Sequence, residues 1–247
     1  MLQLISSQLD MDRMDYLKRD SFYSGVSEGN VNSERIIQMM NVVDDVLVIE
    51  EKGIYSVEKF LMSRRLMYWQ VYLHKTSLVA ESILTKILKR AKELTLKGEE
   101  LTASSPLSFF MHNKVTMETF DADTLNLFSK LDDFDIISAL KSWQDHPDFI
   151  LSSLSKMIIN RDLLKIKLSS EKVTSEELLP LKERFVLENG ITLAEANYFI
   201  FRGKIKNQAY SKEAEPIRIL KKDKTIEDIV DASDQLNFKS VSKFVTK

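Results

Sequence analysis

Aspartate, arginine and tyrosine crowd the stretch from Asp10 to Asp20, which reads DMDRMDYLKRD. On a helix Asp12, Tyr16 and Asp20 step by four and lie along one stripe, with Arg13 at its border. A carboxylate suits a hard divalent cation, a guanidinium suits phosphate, and a tyrosine suits a sugar or base. The same spacing also describes a solvated helix face laced with i,i+3 and i,i+4 ion pairs, and spacing alone favours that plainer reading. A second cluster lies in SRRLMYWQVYLHK, where Arg64, Tyr68, Tyr72 and Lys75 step by four, four and three. One face carrying those groups could hold a polyphosphate and its nucleoside. Aromatic stripes on long helices more often belong to a core, with cations snorkelling at its edges.

The elements that would position these residues are mostly helical. Ile5, Leu9, Met14 and Leu17 predict a helix over 3–20 that stops where Gly25 and Gly29 break the pattern. A short helix is expected over 33–42. Residues 46–55, VLVIEEKGIY, read as two short strands about a turn at Lys52-Gly53. From Ser56 to Leu96 there is neither Gly nor Pro, so a long helix with a kink or break inside it is expected. Further helices are expected over 106–113, 121–130, 133–142 and 147–158. The texture then changes: 161–169, 197–206 and 215–223 have the short β-branched or aromatic runs of strands, with a helix over 175–189 between them. The natural division is a helical domain over 1–158 and a small α+β domain over 159–247.

Bulk properties narrow the classes. The 247 residues are 44% hydrophobic and 29% charged, as in an ordinary globular protein. A formal net charge of −2 supplies no basic field to recruit nucleic acid or an anionic membrane. There is no cysteine, which excludes disulfides, thiolate metal sites and cysteine nucleophiles, and suits the cytoplasm. No apolar run approaches the roughly 18–20 residues needed to cross a bilayer.

Taken together, the two clusters resemble a known family. SSQLDMDRMDYLKRDSFYSGV looks like the signature of the HD-domain deoxynucleoside triphosphate triphosphohydrolases and their bacterial relatives. VEKFLMSRRLMYWQVYLHKT is similar to the same family's long helix, and LDDFDIISALKSW, INRDLLKIKL and IRILKKDKTIEDIVDAS are similar to its later segments. The resemblance implies a mainly α fold: a helical HD-type body, incomplete at its N-terminus, followed by a small α+β C-terminal region. It implies metal-dependent hydrolysis of deoxynucleoside triphosphates, as in a dGTPase, to nucleoside and triphosphate. Asp12 matches the aspartate that completes the family's metal site, and Arg13 and Arg64 match phosphate-binding positions. Tyr16, Asp20 and Tyr72 match positions beside the deoxyribose. Leu73 departs from a family pattern that has glutamine facing the base in some members.

The family's site also needs a first histidine and an adjacent His-Asp pair, and the chain has only His74, His112 and His146, none followed by Asp. The earlier ligands are expected to precede residue 1, and the tail at 239–247 is expected to continue with an apolar strand in relatives. Affinity for a divalent ion comes from several preorganised ligands, so the Mn, Mg, Fe or Ni type ion of an intact relative is not expected to bind this chain tightly, nor this chain to catalyse. Apolar surface covered by the N-terminal helices of a relative is expected to be exposed, favouring self-association. The expected partners are a deoxynucleotide or other phosphate ester and further copies of the chain. A different reading keeps the phosphate-binding stripe in a noncatalytic nucleotide-binding or oligomer-assembly module. The plainest is an all-α scaffold without ligand.

Overall fold

The computed structural model describes residues 2–169, 173–207, 210, 215–234 and 245–246. It is mainly α with a small mixed sheet, as the sequence implies. The chain divides into two compact units, one of residues 1–74 with 204–247 and one of residues 75–203. This differs from a division near 158, because a parallel strand pairing ties the C-terminal region to the first fifty residues and not to the helices before it.

In the first unit, α1 (Leu2–Ile5) and α2 (Met11–Ser24) replace the single helix expected over 3–20. Asp10 interrupts it: its carboxylate accepts the Arg13 amide at 2.7 Å and the Ser7 amide at 3.0 Å, and so caps α2. Next come α3 (Ser33–Gln38), β1 (Met40–Val43) and β2 (Val46–Glu50). The hairpin turns at Asp44 and Asp45, with φ of 49° and 62°, and not at Lys52-Gly53. Aspartate tolerates the left-handed region that a tight two-residue hairpin requires, so the pair serves in place of Asp-Gly. Gly53 instead precedes α4 (Ile54–Met67). A Cβ there would meet Ile49 Cγ2 at 2.6 Å, so glycine permits the close approach of helix and strand.

The helix expected from Ser56 to Leu96 does break. After α4 the backbone widens into a π-helical turn, Tyr68–Tyr72, closed by the Leu73 amide donating to the Tyr68 carbonyl at 2.6 Å. The N-terminal part of the first unit ends at His74.

Its C-terminal part supplies β3 (Lys206–Asn207), β4 (Arg218–Leu220), β5 (Ile226–Asp228), α12 (Ile229–Ala232) and β6 (Val245–Thr246), numbered so that α5 to α11 belong to the second unit. The four-stranded sheet has the order β1-β2-β4-β5, with β2 and β4 parallel (Ile49 opposite Ile219) and the outer pairs antiparallel. β3 pairs with β6. Apart from Val245 and Thr246, the tail over 239–247 lies outside the described residues. Leu17, Ile36, Ile49, Phe60, Leu61, Met67 and Ile219 form the core, each almost fully buried.

The second unit is built on α5 (Lys75–Leu96), which packs along α9 (Phe149–Ile159). Val79, Ile83, Ile87, Ala91 and Leu94 of α5 repeat at steps of three and four and are buried. Between them lie α6 (Ser105–His112), α7 (Ala122–Phe128) and α8 (Asp133–Trp143), and after them α10 (Ser175–Asn189) and α11 (Leu193–Ala196). The expected strand at 161–169 does not form, and of 197–206 only Lys206 is in a strand. Leu163, Leu164 and Ile200 from these runs pack against the helical core instead, so their apolar character reflects burial under helices.

Asp148 ties this unit together. It caps α9 through the Leu151 amide at 2.8 Å and accepts Arg90 Nη2 at 2.5 Å. Burial alone would raise its carboxyl, but the hydrogen bonds from Arg90 and the Leu151 amide outweigh it and hold the group below the usual range. A carboxyl depressed on folding contributes stability that is present above its unfolded value, about 4, and is lost as pH falls through the folded value. The melting temperature should therefore fall between pH 5 and pH 2, and Asp148→Asn should flatten that slope while lowering stability at pH 7. An unchanged slope in the variant would remove Asp148 from the account.

Candidate functional site

Five of the six site residues expected from the sequence come together in the first unit. Tyr72, in the π-helical turn, donates its phenol hydrogen to Asp20 Oδ2 at 2.7 Å. Its ring lies edge-on to Tyr16, with centroids 5.9 Å apart, and edge-on to Tyr68 at 5.0 Å. Arg64, one turn before Tyr68, places its guanidinium carbon 5.8 Å from that ring's centroid. The stripe along α2 and the stripe along α4 thus face each other across edge-to-face tyrosines. The Gln70 amide braces the turn by donating to Glu28 at 3.0 Å.

Charge is concentrated and incompletely paired. Nε and Nη1 of Arg64 are buried and have no hydrogen-bond partner among the described residues, and the same holds for Nε of Arg13. A guanidinium left short of acceptors away from water is costly unless an anion completes it. Burial pushes the Tyr16 phenol up to about 12; Tyr68 beside it adds to the rise, while Arg64 and Arg13 oppose it. The Tyr72 phenol is raised by burial and by its hydrogen bond to Asp20. Both therefore remain protonated donors at neutral pH.

Two expected roles sit differently. Arg13 is already engaged through Nη1, which bonds the Asp10 carboxylate and the Ser7 carbonyl. Only the rest of its guanidinium is available to a ligand. Asp12 is exposed on α2, and among the described residues no three His, Cys, Asp or Glu side chains form a group that could hold a metal ion. The described residues therefore do not by themselves fit a catalytic divalent ion. His112 closes α6, with Nδ1 2.9 Å from the Ser108 carbonyl oxygen, and His146 Nδ1 accepts the Asp148 amide at 3.1 Å, so both have structural partners.

Tyr68, which its spacing puts on one face with Arg64 and Tyr72, is given no role by the family resemblance. It touches Arg64 and Tyr72 and perturbs Tyr16, which makes it the hub of the cluster. Lys75 loses its place on the stripe because the helical phase ends at Leu73, before α5 begins.

Residues 31–110 match the family described as the HD associated region. A phosphohydrolase from Bacteroides thetaiotaomicron, solved by crystallography, is 51% identical, with a TM-score of 0.90 over 99% of this chain and 61% of its own. An uncharacterized Bacillus subtilis protein, YwfO, is 45% identical over 66% of this chain and 36% of its own length. A Dictyostelium discoideum protein described as a deoxynucleoside triphosphate triphosphohydrolase is 27% identical over 38% of this chain and 18% of its own. The chain thus spans about a third of the Bacillus protein and about three-fifths of the Bacteroides one. Residues 31–110 thus resemble an HD associated region, and nearly the whole chain resembles part of a solved phosphohydrolase. Among the described residues no helix is long and apolar enough to cross a membrane.

Proposed function

We propose that this chain supplies the phosphate- and sugar-binding side of a metal-dependent phosphohydrolase that acts on deoxynucleoside triphosphates. The observation that carries the reading is the buried, unpartnered edge of Arg64 beside Tyr16 and Tyr68. Arg64 and the free edge of Arg13 bind phosphate oxygens, to which a planar guanidinium is matched. Asp20, with one carboxylate oxygen held by Tyr72, offers the other to a sugar hydroxyl. Tyr16 and Asp20 contact the deoxyribose, and the packing of Tyr16 and Asp20 against Tyr72 crowds the space a ribose 2′-hydroxyl would need, which disfavours ribonucleotides. The likeness of part of the chain to a deoxynucleoside triphosphate triphosphohydrolase supports this substrate class.

Asp12 acts as one metal ligand in the whole protein, with the remaining ligands supplied from outside these residues. A divalent ion held by Asp12 and those further ligands would supply polarisation of phosphate and a hydroxide nucleophile. The 247-residue chain alone then binds nucleotide without turning it over. Incubation with manganese and a panel of deoxynucleoside triphosphates should release no triphosphate above the level of an Asp12→Ala variant. Release by the wild type that vanishes in the variant would show a site assembled from these residues and contradict the account.

A further inference from the structure

The two carboxylate oxygens of Asp10 are used differently. Oδ1 accepts the Arg13 amide at 2.7 Å and caps α2. Oδ2 accepts the Ser7 amide at 3.0 Å and also Nη1 of Arg13. A cap needs a single acceptor, which serine or asparagine supplies as well as aspartate does. The charge on Asp10 is therefore surplus to capping, and the residue is only 1% exposed. Burying a carboxylate is costly unless it is paired, and the pair made here is with the Arg13 guanidinium.

This clamp decides which edge of Arg13 remains. Nη1 is held between the Asp10 carboxylate and the Ser7 carbonyl. Nε is buried with no hydrogen-bond partner among the described residues. Together Nε and Nη2 form an edge of the guanidinium that can take two oxygens of one phosphate group. Arg13 opposes the rise of the Tyr16 phenol, as Arg64 does, so both arginines act on the same tyrosine. The turn that carries the clamp is itself fastened. The Leu9 amide donates to Ser7 Oγ at 3.1 Å, and the Gln8 side chain donates to the Glu215 carbonyl.

We infer that Asp10 is a positioning residue: by pinning Nη1 it holds the Nε–Nη2 edge of Arg13 ready for a phosphate group of the ligand. This rests on the reading of Arg13 as a phosphate ligand. A mobile arginine surrenders side-chain freedom when it binds. One already pinned by two acceptors surrenders less, so more of the contact appears as affinity. Plain charge acts in the opposite sense, because a carboxylate near a polyphosphate repels it. The sign of the change when Asp10 is neutralised therefore separates positioning from charge.

The test is a double-mutant cycle on the 247-residue chain, titrated without metal with a deoxynucleoside triphosphate, inorganic triphosphate and the deoxynucleoside. Arg13→Ala should weaken both triphosphates about tenfold, and Asp10→Asn, which keeps an oxygen for the cap, about fivefold, with nucleoside affinity unchanged. Once Arg13 is alanine, Asp10→Asn should weaken binding no further. Asp10→Ser supplies a capping hydroxyl without the charge and should match Asp10→Asn, which separates the clamp from the cap. Unchanged or tighter triphosphate binding by Asp10→Asn, or the same loss with and without Arg13, would overturn the inference while leaving Arg13 a ligand. No effect of Arg13→Ala, or no triphosphate binding by the wild type, would remove the phosphate role of Arg13 and this inference with it.

Discussion

Replacing Arg64 with alanine is expected to weaken binding of a deoxynucleoside triphosphate by roughly 10- to 100-fold, the equivalent of about 1.5–3 kcal/mol for hydrogen bonds to a charged group. The size follows from what Arg64 does in the absence of ligand. Its Nε and Nη1 have no hydrogen-bond partner among the described residues, and the neighbours it acts on are the Tyr68 ring and the Tyr16 phenol. On the proposed reading, truncation removes donors to phosphate while relieving a buried charge that is not fully compensated. Thermal stability should stay the same or rise as affinity falls. Arg64→Lys should recover little, because an ammonium is a point charge and cannot present two parallel donors. Isothermal titration alongside a melting curve separates the effects. A variant that loses affinity only because it unfolds would show Arg64 to be structural.

Replacing Trp143 with alanine is expected to cost about 3–5 kcal/mol and lower the melting temperature by on the order of 10 °C. Trp143 ends α8 and is 1% exposed, the bulkiest of the fully buried side chains. Its indole N–H donates to the Thr102 carbonyl at 2.9 Å. Alanine leaves a cavity and a carbonyl without its donor, two penalties that add. Trp143→Phe keeps much of the volume and loses the hydrogen bond, so it should fall between wild type and alanine. Near-wild-type stability in Trp143→Ala would mean that the core over α5, α8 and α9 closes around the gap.

The sequence revealed much of this arrangement because helical periodicity is strong where one face is buried. The α5 core stripe and the α8 and α9 segments were legible from spacing, and so was a break in the long helix. Its position was not legible, since a π-helical turn at Tyr68–Tyr72 leaves no composition signal. The hairpin was misplaced because Asp44-Asp45 lacks the glycine that usually marks such a turn, while Gly53 answers to a close helix–strand approach. The apolar runs after Asn160 read as strands because short buried segments look alike whether helices or a sheet cover them. At the site, Tyr16, Asp20, Arg64 and Tyr72 could be chosen from i,i+4 spacing and family resemblance. That α2 and α4 bring the two stripes together is a tertiary fact. It depends on packing such as Gly29, where a Cβ would meet Met67 Sδ at 2.7 Å and the Leu17 carbonyl oxygen at 2.9 Å. Pattern along the chain does not encode such a contact. The partial diversion of Arg13 to Asp10 and Ser7 was equally hidden, since it depends on the local path between α1 and α2.

The most direct test of the account is an equilibrium titration of the 247-residue chain, without metal, with a deoxynucleoside triphosphate and with the corresponding deoxynucleoside. If Arg64 and Arg13 hold phosphate, the triphosphate should bind saturably and the nucleoside at least tenfold more weakly, with inorganic triphosphate competing. Failure of the triphosphate to bind, or equal binding of the nucleoside, would show that the two arginines do not form a phosphate site.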